Sequence, residues 1–95
     1  MRESDIDKIA GIHRQIRVLL ARDWDPIGVG DALGAVDEYY GYERGAYDVA
    51  VKTRSAEAVA RHLLEIERDR MGLHPRSVRD VLPVAEQILQ LVSEL

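Results

Sequence analysis

The chain has no cysteine and no phenylalanine, only three prolines in 95 residues, and only five aromatic side chains. Without cysteine, disulfide frameworks, thiolate metal sites and thiol nucleophiles are excluded together. No apolar run approaches the ~18 residues of a membrane-spanning helix. The Met1-Arg2-Glu3-Ser4 start lacks the apolar core of a signal peptide, so a cytoplasmic chain with no membrane contact is expected. There is no excess of positive charge: the net is −4, which argues against a nucleic-acid partner held through phosphates. No internal repeat or low-complexity segment is present.

What is present suits a folded domain. The chain is 46% apolar and 32% charged, a balance that favours order and one modest core. Its length fits a single domain spanning 1–95. Apolar residues recur at helical spacing in three places, so helices are expected over about 5–22, 56–70 and 81–92. Ser4 and Ser55 are suitable caps, and Gly72 suits a left-handed helix end. Pro83 is compatible with the last helix if Asp80 caps it, because the first turn needs no N–H there. The apolar arc of that helix is very wide, which calls for two helical neighbours, or for one neighbour and a second subunit.

The middle reads differently. Trp24, Tyr39, Tyr40, Tyr42 and Tyr47, all of the aromatics, fall within residues 23–48. The same stretch holds seven carboxylates against the single base Arg44, so it carries −6 while the remainder is slightly basic. Asp25-Pro26 and Gly28, Gly30 and Gly34 read as loop, with short helices over about 35–40 and 44–52, the latter two weakened by Gly41 and Gly45. The expected fold is all-α: a compact single-domain bundle of four to five helices with a loop-rich acidic and aromatic middle segment.

Several constellations invite chemistry. Gly28-Val29-Gly30-Asp31-Ala32-Leu33-Gly34 lacks both the G-x-G-x-x-G spacing and a preceding strand, so it reads as a connector. Asp23 and Asp25 resemble the front of a calcium loop. Ile27 and Gly34 occupy ligand positions that need oxygen donors, so no metal is expected. His13, His62 and His74 lack ligand spacing; His13 falls in an apolar arc, where a hydrogen-bonded core histidine is expected. Glu67 lies amid the apolar arc of the 56–70 helix, and a buried carboxylate demands a partner. Arg17 and the backbone N–H groups of 24–29 are the candidates. Asp37-Glu38-Tyr39-Tyr40-Gly41-Tyr42 is the main interaction candidate, because tyrosine gives a rigid amphipathic contact and carboxylates steer a basic partner. Trp24 and Tyr39 are expected inside, with at least one of Tyr40, Tyr42 and Tyr47 outside.

Trp24-Asp25-Pro26-Ile27-Gly28-Val29, Asp37-Glu38-Tyr39, Leu63-x-x-Ile66-Glu67 and Met71-Gly72-Leu73 together resemble the YugE-like family of small bacterial proteins of unknown function. The resemblance spans roughly residues 12–92 and implies a compact helical fold with no assigned catalytic residues. Typical members carry a proline near 32–35 and an acid where Tyr40 stands; Gly34 and Tyr40 depart from that pattern. Separately, the acid followed by Tyr39-Tyr40 resembles, as surface chemistry only, what bacteriocin-nuclease immunity proteins use against a basic toxin.

These observations lead to one expectation with two alternatives. The first is a non-enzymatic interaction module without cofactor, of the immunity or inhibitor type, binding a basic protein through Asp37, Glu38, Tyr40 and Tyr42. Trp24, Asp25, Tyr39 and Glu67 would organise the scaffold beneath. The alternatives are a small-molecule, weak metal or enzymatic site around Asp25, His13 and Glu67, and a segment serving chiefly as a homodimer interface.

Overall fold

The structure is a computed structural model, and it describes residues 3–24, 40–74 and 76–93; the side chains of Glu3, Ser4 and Tyr40 lie outside the description. It is all-α: the described residues form four helices and no strand. These are α1 (Glu3–Leu19), α2 (Tyr40–Thr53), α3 (Ala56–Glu65) and α4 (Val78–Val92). Both α1 and α3 end by widening into a π-helical turn, Leu20–Trp24 and Ile66–Arg70 respectively. None of the described helices is long and apolar enough to cross a membrane.

The expected helices are shifted rather than replaced. The 5–22 helix is α only to Leu19, and the 56–70 helix only to Glu65, each finishing as a π-turn. The 44–52 helix starts four residues earlier, at Tyr40, and runs through both Gly41 and Gly45. Propensity alone disfavours glycine there by about 1 kcal/mol each. Packing overrides it at Gly45: a Cβ on that residue would lie 2.8 Å from His62 Nε2, so the glycine is what lets α3 approach α2. The 35–40 helix and the 25–39 part of the loop-rich middle lie outside the described residues.

α4 begins at Val78 rather than 81, because Ser77 is the cap. Its hydroxyl accepts from Asp80 N–H while the Asp80 carboxylate accepts from Ser77 N–H, a reciprocal capping box. Asp80 is thus the third helical residue, and hydrogen bonding to Ser77 holds its carboxyl below the usual range. Pro83 consequently stands past the first turn, on the exposed face, where its missing N–H costs one helical bond.

One core unites the elements. Ile12, Ile16, Leu19 and Leu20 of the first helical segment meet Ala46 and Ala50 of α2, Val59, Ala60 and Leu63 of α3, and Val81, Val84, Ala85, Ile88 and Val92 of α4. α4 touches α1, α2 and α3. Its wide apolar arc is therefore met by three helices of the same chain. Between α2 and α3 the chain turns within two residues. Arg54 adopts a left-handed φ of 52°, and its guanidinium donates to the Val92 carbonyl at 2.8 Å, tying the turn to the end of α4. Gly72, with φ 65°, takes the left-handed position after the second π-turn, as expected.

Candidate functional site

Two polar clusters are built into this scaffold, and they are separate. The first joins the two π-turns. Trp24, the last residue of its turn, is 1% exposed; Glu67, the second residue of the other, is likewise 1% exposed. The Trp24 indole Nε1–H donates to Glu67 Oε2 at 3.0 Å. Arg76 closes the other side: its Nη2 donates to Oε2 at 3.2 Å and its backbone N–H to Oε1 at 3.3 Å. The same Nη2 also donates to the Trp24 carbonyl at 2.9 Å, occupying one of the acceptors left open where the helix ends. Glu67 thus has the partners that burial demands. Of the two expected candidates, Arg17 is engaged elsewhere, and the backbone N–H groups of 25–29 lie outside the described residues.

Arg17 belongs to the second cluster, on the seam between α1 and α2. Glu43 is buried there, with Arg17 Nε 3.2 Å from Oε1 and His13 Nδ1 3.4 Å from Oε2. The Tyr47 ring lies over His13 at a centroid distance of 4.2 Å, tilted by 35°. His13 is therefore a seam residue about one-quarter exposed, not a core histidine, because α2 brings a carboxylate against its flank. Among the described residues, Oε2 of Glu43 receives no aligned hydrogen bond. A depression of about 510 Å³ opens beside it, lined by His13, Gly41, Glu43, Arg44, Tyr47 and Asp48.

The candidate residues therefore divide. Trp24 and Glu67 are brought together; His13 stands with Glu43, which sequence reasoning passed over, and not with Glu67. Tyr42 is half-buried with its ring edge-on to Trp24, centroids 5.9 Å apart and 86° between planes. Tyr47 is also half-buried. Asp25, Asp37, Glu38 and Tyr39 lie outside the described residues, as does the side chain of Tyr40. No group of three metal-ligating side chains occurs among the described residues.

One buried base is left without compensation. His62 Nε2 is buried against Gly45 and has no hydrogen-bond partner among the described residues. Burial, reinforced by Arg70 and opposed by Glu65, holds its pKa below the usual imidazole value. The folded state thus binds this proton less readily than the unfolded state. The stabilising contribution is complete above an unfolded pKa of ~6.5 and shrinks as pH falls below it. Urea midpoints measured from pH 7.5 down to ~5.5 are expected to fall for the wild type. The slope should be shallower in His62→Leu; equal slopes would remove His62 as its source.

The comparisons with known proteins close the description. No family model matches the chain, and no curated protein or solved structure is significantly similar to it.

Proposed function

We propose that the chain is a non-enzymatic binding module that presents an acidic, tyrosine-bearing surface to a basic protein, in the manner of an immunity or inhibitor protein of the cytoplasm. Asp37, Glu38, Tyr40 and Tyr42 form the contact, on a loop-rich middle segment. The observation that carries this reading is the saturation of Glu67. Trp24 and Arg76 occupy both of its oxygens, so the best-buried carboxylate is committed to holding the scaffold and is not offered to a substrate. Buried Glu43 is likewise matched by Arg17 and His13.

Tyr42 adds support, since its ring rests on a tryptophan that is itself fixed. An aromatic side chain held in advance loses little entropy on binding. The likeness to YugE-like proteins, carried by the Trp24–Val29 and Asp37–Tyr39 motifs, suits a small helical module without catalytic residues. The alternative site around Asp25, His13 and Glu67 is weakened, because His13 and Glu67 serve different clusters.

Affinity capture from the native host, followed by titration with the purified partner, tests the proposal. Asp37→Lys and Tyr40→Ala are each expected to weaken binding by at least ~10-fold, with wild-type affinity falling as salt rises. A captured partner that binds both variants as tightly as the wild type sinks the assignment.

A further inference from the structure

The side of α1 turned away from the core carries Asp7, Gly11, Arg14, Gln15 and Val18, and Arg22 follows in the π-turn that ends it. At ~100° per residue the five positions on α1 fall within an arc of about 100°. They line two neighbouring depressions of about 420 Å³ each on the seam with α4, and Gln15, Gln90 and Leu91 line both. Val18 is 41% exposed. A Cβ placed on Gly11 would meet nothing within 4 Å. The stripe therefore holds an apolar knob and an open notch about 10 Å apart along the axis. It also bears an acid at one end and a base at the other. Asp7 has no ion-pair partner among the described residues.

We propose that this stripe is a self-association surface, covered by the same stripe of a second copy running antiparallel. A two-fold axis between positions 14 and 15 pairs 7 with 22, 11 with 18 and 14 with 15. Val18 of each copy then enters the notch over Gly11 of the other, and Asp7 faces Arg22 at both ends. A parallel arrangement in register stacks Val18 on Val18, leaves both notches empty and sets Arg14 and Arg22 against their own copies. Like charges brought together in that way are destabilising. The charge order along α1 therefore selects the antiparallel pair.

The contact is weak by design of its parts. Arg22 already donates to Asp23 at 3.1 Å, so the incoming Asp7 adds a second carboxylate to an exposed guanidinium, a small gain. A seam of about four helical turns also lies at the low end of specific interfaces, near ~1,200 Å² in total. A concentration-dependent dimer follows, not an obligate one. The stripe shares no residue with the proposed partner surface, so the two are tested by different variants.

Sedimentation velocity on the full chain between ~5 and ~500 µM is the test. The wild type is expected to move from monomer towards dimer across that range. Val18→Asp should remain monomeric at every concentration, with circular dichroism confirming its helices. Asp7→Arg alone and Arg22→Asp alone should each reduce association at least ~10-fold, and the two together should restore it. Because the chain lacks cysteine, the double variant Gly11→Cys with Val18→Cys provides a check on register: mild oxidation should trap a covalent dimer that neither single variant yields to a comparable extent. A wild type that stays monomeric throughout overturns the proposal. So does a dimer that Val18→Asp leaves intact, or one that the double-cysteine variant fails to trap.

Discussion

Replacing Arg76 with methionine is expected to cost about 3 kcal/mol of stability, although the residue lies outside every helix. The reason is what the substitution leaves behind. Glu67 is 1% exposed, and Arg76 supplies its only cation among the described residues and, through the side chain, bonds to both of its oxygens. Methionine keeps the stem and removes the charge, so the carboxylate remains buried with the Trp24 indole and one backbone N–H. The Trp24 carbonyl loses the Arg76 donor in the same step. Breaking a buried pair from one side costs about 3–5 kcal/mol, and the lower figure applies because the Arg76 side chain is itself 37% exposed. For a domain of this size that lowers Tm by more than ~10 °C. Combining Arg76→Met with Glu67→Gln should recover more than half of the loss, since a neutral amide can still accept from Trp24. Urea denaturation of the four proteins of this cycle measures the coupling, and additive effects would refute a charge-based explanation.

Trp24→Ala should cost more still, about 4 kcal/mol. The indole is the largest fully buried side chain, and its removal opens a cavity at the junction of α1 with α4. It also takes away one of the donors to Glu67 and the ring against which Tyr42 rests. Trp24→Phe separates these contributions, because it keeps most of the volume and loses only the N–H. A loss of about 1.5–3 kcal/mol for Phe, well short of that for Ala, is expected from the bond to a charged acceptor. If Phe proves as damaging as Ala in denaturant melts, packing is not the larger share. If Phe proves neutral, the 3.0 Å bond contributes nothing.

How far these features were legible in the residues differs from element to element. The all-α class follows from apolar spacing, and the burial of Glu67 follows from its angle on the 56–70 helix. Arg76 was not legible. It stands in a non-periodic stretch beside Pro75, and only the second π-turn swings that stretch back over Glu67. Neither π-turn carries a marker in composition, so a pattern at 3.6 residues per turn reads straight through it. The start of α2 was misplaced because Gly41 and Gly45 look like breaks when taken alone. The fit of His62 against Gly45 is a tertiary fact that local propensity does not contain. The start of α4 was misplaced because Asp80 is a good cap by type, whereas the box formed with Ser77 moves the boundary back. His13 and Glu43 are thirty positions apart on different helices, and their pairing depends on how α1 and α2 cross.

The edge-to-face contact of Trp24 and Tyr42 has a consequence for how the middle of this chain can vary. The two rings meet with their centroids 5.9 Å apart although 17 residues separate them along the chain. Closing a loop between two such points has an entropic cost that grows only with the logarithm of its length, about 0.6 kcal/mol for each doubling. Lengthening the chain between those two rings therefore adds little closure cost, whereas replacing either ring removes the contact that marks where the loop closes.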